Sequence, residues 1–126
     1  MRDPHKLSAF QLADQLADQL AVAVYKHTQG MPPDERFGLT TQIRRAAVSI
    51  PSNIVEGCSR NSEADSLRFL DMALGSACEL EYQLSLALRL GFLHEDEHRP
   101  VADLAAQTAK TLNGLIRALR KACPGA

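Results

Sequence analysis

Four stretches of the chain carry apolar residues at helical spacing, and nothing between them alternates as a strand does. They cover about residues 7–27, 39–60, 62–90 and 97–122. Glycine, proline and small polar residues punctuate the chain near Gly30–Gly38, Gly57–Asn61 and Gly91–Pro100. Connections this short make consecutive helices antiparallel neighbours. The prediction is one all-α domain over residues 1–126, an up-down-up-down four-helix bundle. A chain of 126 residues with 45% hydrophobic and 23% charged residues has enough apolar side chains for one core.

The stripes are specific. Phe10, Ala13, Ala17, Leu20 and Val24 mark the inward side of the first helix. On the second, Leu39, Ile43, Ala46, Ile50 and Ile54 fall on one face, and Val48, Pro51 and Val55 on a neighbouring one. Pro51 removes a backbone hydrogen bond, so this helix is expected to kink or break locally there. The third helix opens at Ser62, whose Ser-x-x-Asp pattern suits a cap, and closes at Gly91. Its stripe is Leu67, Leu70, Leu74, Ala77, Leu84 and Leu88, with Met72, Phe69, Leu86 and Leu90 elsewhere on the cylinder. The fourth carries Val101, Leu104, Ala105, Thr108, Leu112, Leu115, Ile116 and Leu119 on one side and is polar behind. Phe37 is expected to tuck the first connection onto the bundle. The second and third helices have wider apolar arcs than three neighbours can cover, which implies a partner, most simply another copy of the chain.

Little in the sequence points to catalysis. His94-Glu95-Asp96-Glu97-His98 matches the spacing of a helical zinc site, the basis for a metal-dependent hydrolase. No third ligand follows, and Pro100 stands close behind, so an acidic helix start is the favoured reading. Glu81 lies inside the third apolar stripe and calls for a partner, Arg44 or Arg45, within or between chains. Arg44, Arg45, Asn53, Glu56 and Glu81 are the candidate buried polar or interface residues. No phosphate-binding loop, dinucleotide fingerprint, nucleophile elbow or paired-cysteine motif is present, so no enzyme, cofactor, metal or small-molecule substrate is inferred.

Formal net charge is −1, with no overall field to draw nucleic acid, but the charges segregate. The second and fourth helices are basic and the third acidic. Arg36, Arg60, Lys110, Arg117, Arg120 and Lys121 are therefore candidate nucleic-acid contacts. Three dispersed cysteines, Cys58, Cys78 and Cys123, suit a reducing compartment; Cys58 and Cys78 are expected to fill core gaps. The start of the chain lacks a signal-peptide core and no apolar run is membrane-length, so the expected location is cytoplasmic.

The run Glu35–Gly57, through Gln42-Ile43-Arg44-Arg45-Ala46 and Ser49-Ile50-Pro51-Ser52-Asn53-Ile54-Val55-Glu56-Gly57, is more particular than a generic helix. With Glu79-Leu80-Glu81-Tyr82-Gln83-Leu84 and Leu112-Asn113-Gly114-Leu115-Ile116-Arg117, it resembles the 23S rRNA intervening sequence proteins. The resemblance spans nearly the whole chain and implies a bundle that assembles as a ring-shaped homopentamer. It extends distantly to the accessory variability determinants of diversity-generating retroelements, which bind a reverse transcriptase and nucleic acid. The expected function is thus a non-enzymatic, homo-oligomeric binding or assembly module, associating with RNA or a nucleic-acid enzyme. The alternative is a protein-interaction scaffold without nucleic acid.

Overall fold

The computed structural model describes residues 4–122. Cys123 and the tail after it, like the first three residues, lie outside the described residues. Four helices follow one another: α1 (Pro4–His27), α2 (Leu39–Cys58), α3 (Glu63–Arg89) and α4 (Glu95–Ala122), with a single 3-10 turn, Pro33–Glu35, between the first two. No strand occurs among the described residues.

Each helix packs on its sequence neighbours, α4 closes the ring against α1, and the backbones of the two diagonal pairs stay farther apart. Contacts run in opposite directions along adjacent helices. Ser49 meets Ser76, and one end further along Ser66 meets Gly57. Across the closing pair, His27 Nδ1 lies 2.8 Å from Glu97 Oε2. Apart from Phe10 the core is aliphatic, with Leu20, Ile43, Ile50, Leu70, Leu80, Leu84, Leu112 and Leu119 essentially inaccessible. Thr28 and Thr108 are buried too, each donating its hydroxyl to the carbonyl four residues back.

Helix ends follow local chemistry. The Ser62 hydroxyl accepts from the Asp65 amide at 3.1 Å, satisfying a first-turn donor of α3. At the other end Gly91 takes φ +77°, a conformation that favours glycine. Phe92 N then donates to Ala87 O and Gly91 N to Leu88 O, a Schellman closure.

Several expectations need correction. Helix α2 runs through Pro51 without the local break that is one of the two outcomes expected there. The Ser52 hydroxyl donates to Val48 O and Asn53 Nδ2 to Ser49 O, both at 2.8 Å, bonding the carbonyls just past the one Pro51 leaves without its donor. Helix α4 starts at Glu95, two residues before the expected start, and passes through Pro100 on its exposed side. Phe37 does not tuck in; it is 87% exposed, while Met31 anchors the connection instead. Cys58 and Cys78 are exposed free thiols rather than core filling. No described helix is long and apolar enough to cross a membrane.

Candidate functional site

The first distinctive surface is a cleft of about 350 Å³ where the end of α1, the turn and the start of α2 meet. Tyr25, Arg36, Phe37, Thr40, Arg44 and Arg45 line it, with Thr41 beside them. The two rings carry guanidinium groups. Arg36 Cζ sits 5.0 Å from the Phe37 centroid, and Arg44 Cζ 4.7 Å from that of Tyr25. Arg44 is further fixed by Nε donating to Thr28 Oγ1 at 3.0 Å and Nη2 to Tyr25 O at 3.4 Å. No carboxylate lines the cleft, and none of its three arginines has an ion pair among the described residues. Glu35 is engaged at the helix start, its Oε1 accepting from Leu39 N at 3.1 Å. The Thr40 hydroxyl is buried without a partner.

Two apolar strips lie on different sides of the bundle. Along the α1–α2 edge, exposed Val48 and Val55 flank half-buried Pro51. Phe10, Ile54, Val55 and Cys58 line a hollow of about 290 Å³ there, rimmed by Asp14. An adjoining hollow adds Asp18. On α3, Met72, Tyr82 and Leu90 are exposed. Their neighbours include two exposed arginines: Arg68, paired with Asp65, and Arg89, 5.9 Å over the Tyr82 ring.

The candidate polar residues do not gather into one site. Glu81 is exposed and has no ion-pair partner among the described residues, which corrects its placement in the core. The buried line of α3 runs through Leu70, Ala73, Ala77, Leu80, Leu84 and Ala87, so Leu80 takes the inward position and Glu81 falls outside it. Arg44 turns to α1 and Arg45 is exposed in the cleft; neither pairs with Glu81. Asn53 is half-buried and bonds Ser49, and Glu56 is exposed and paired with Arg60. Among the nucleic-acid candidates, Arg60 is held by Glu56 and stacks on Phe69, and Arg120 bonds Asp71 at 2.5 Å. Lys110, Arg117 and Lys121 are exposed with no ion pair among the described residues. His94 lies just before α4 and is exposed, while His98 is half-buried in its first turns. No group of three metal-ligating side chains exists among the described residues.

Sequence reasoning missed the cleft's aromatic rings and Thr40. The adjacent Arg36-Phe37 in a proline-bounded turn was their one signal. It also missed Gln83, 5% exposed, which donates to Glu79 Oε1 at 3.0 Å.

Helix order, closure of α4 on α1 and an aliphatic core define a four-helix bundle protein. The chain belongs to the 23S rRNA-intervening sequence protein family, whose model matches residues 11–114. It is similar in fold to a crystal structure from Bacteroides thetaiotaomicron VPI-5482, described as a protein with unknown function from the S23 ribosomal protein family. That match has a TM-score of 0.79 at 24% identity and covers 86% of this chain and 98% of the other. Among curated proteins, none matches it.

Proposed function

We propose that this protein is a non-enzymatic assembly module of the cytoplasm that works as a homo-oligomer. The observation that carries this reading is the pair of unlike apolar strips. An apolar surface left bare on a bundle of this size favours a partner. The strip on the α1–α2 edge is rimmed by Asp14 and Asp18, while on α3 Arg68 is paired with Asp65 and exposed Glu79 stands between Met72 and Tyr82. A second copy of the chain offers each strip an apolar surface to cover it. Two unlike faces on one subunit join head to tail, and such contacts form a ring where the rotation between copies closes and a filament where it does not. The ring of five implied by the family resemblance is the assembly expected.

Light scattering coupled to size exclusion tests this. The expected mass is five times the 13.8 kDa of one chain. A Val48→Asp/Val55→Asp variant is expected to elute as a helical monomer, because two carboxylates enter the apolar contact while neither residue belongs to the core. Wild-type protein at monomer mass across the micromolar range overturns the reading.

A second reading, RNA association, is favoured by the row Lys110, Arg117 and Lys121. Spacings of seven and four place these cations on one outer side of α4, and assembly repeats the row in every copy. Replacing all three by Gln is expected to weaken RNA binding and to lower the salt slope by about two. An unchanged slope means the row does not touch phosphate.

A further inference from the structure

The cleft between α1 and α2 has a chemistry that neither the assembly contacts nor the α4 row uses. Three guanidinium groups line it without a carboxylate to neutralise them. Arginines in that condition attract an anion, and their forked donors suit the paired oxygens of a phosphate. Arg44 is preorganised: Tyr25 and Thr28 hold it on one side, while a guanidinium has five N–H donors and only two are engaged there. Helix α2 begins at the cleft, but the Glu35 carboxylate occupies its first amide, so the field there comes from the guanidinium groups. Thr40 contributes a buried hydroxyl without a partner beside these groups.

Simple anion binding leaves Phe37 unexplained. A phenylalanine 87% exposed on a short turn has no packing role in the bundle. Arg36 lies over its ring at 5.0 Å, and the exposure of the residue leaves ring surface open to a further planar group. An aromatic face next to a phosphate-binding group is the pairing that recognises an unstacked base with its phosphate.

We propose that this cleft binds one unstacked nucleotide, its base on Phe37 and its phosphate against Arg44 and Arg45. Arg36 backs the Phe37 ring and extends the stack. The ligand is a free mononucleotide or one nucleotide of a single strand, and the two present the same base and phosphate. The site is separate from Lys110, Arg117 and Lys121 on α4, whereas Val48 of the α1–α2 strip lies one helical turn beyond Arg44.

The test uses the full chain and fluorescence anisotropy at low salt with a labelled oligouridine of about ten nucleotides. AMP and inorganic phosphate serve as competitors. Phe37→Ala is expected to weaken strand binding about tenfold, with the helical circular-dichroism signal intact because the residue is outside the core. Arg36→Gln/Arg45→Gln is expected to weaken the strand and AMP together. The Gln triple variant on α4 is expected to leave AMP binding unchanged, which separates this site from the α4 row. Competition by AMP as strong per nucleotide as that of the strand identifies a free nucleotide as sufficient; weaker competition identifies a strand. Either outcome supports the site. Wild-type affinity in Phe37→Ala overturns it, as does phosphate competing as well as AMP, or no binding of AMP or strand.

Discussion

A Gly57→Val variant is expected to lose about 2–3 kcal/mol of stability, read as a lower urea midpoint at matched protein concentration. Gly57 is buried near the end of α2, where α3 begins its run back. A Cβ built there meets the Phe69 Cβ and the Ser66 backbone oxygen, each at 3.2 Å. Both are short of ordinary contact, and a backbone oxygen cannot rotate away. Valine adds two further methyl groups to that space. The Ser66 hydroxyl also donates to Gly57 O at 2.6 Å, so forcing the helices apart stretches a buried hydrogen bond. Gly75 provides the control. Nothing lies within 4 Å of a Cβ there, and Gly75→Ala is expected to stabilise by about 0.5–1 kcal/mol through helix propensity. Equal midpoints for Gly57→Val and wild type mean that α2 and α3 have slack at their junction.

Ile50→Ala is expected to cost about 3 kcal/mol, because the side chain is wholly buried and its removal leaves a cavity. Val48→Ala, two residues away, removes a side chain already 43% exposed and is expected to shift an isolated subunit by less than about 0.5 kcal/mol. The two substitutions divide the wide arc of α2 into the part that folds the subunit and the part that joins subunits. Val48→Ala should therefore act on stability through protein concentration, and Ile50→Ala at every concentration. A large, concentration-independent loss in Val48→Ala places Val48 in the fold rather than at a contact between copies.

Periodicity carried the fold where each helix has one clear stripe. All five inward residues assigned to α1 are buried, and on α4 only Leu104 of the eight is less than fully so. On α3 the stripe was ambiguous, because apolar residues surround much of the cylinder. Choosing Leu74 and Leu88 over Leu80 and Ala87 rotated the inferred core enough to take in Glu81. Pairing between distant residues was not legible. Nothing local in the sequence marks Asp71 as the partner of Arg120, 49 positions away, or keeps Lys110 and Arg117 unpaired. The cleft was hidden for a related reason. Arg36 and Phe37 read as loop residues until the fold brings Tyr25 and Arg44 beside them.

The contact between His27 and Glu97 has a practical consequence. It sets the last turn of α1 beside the first turns of α4, so the start of α1 and the end of α4 leave the bundle together at the opposite pole. Twenty-four residues of α1 put roughly 36 Å between that pole and Phe37. A probe attached near the start of α1 or the end of α4 is therefore remote from the cleft and leaves it unobstructed.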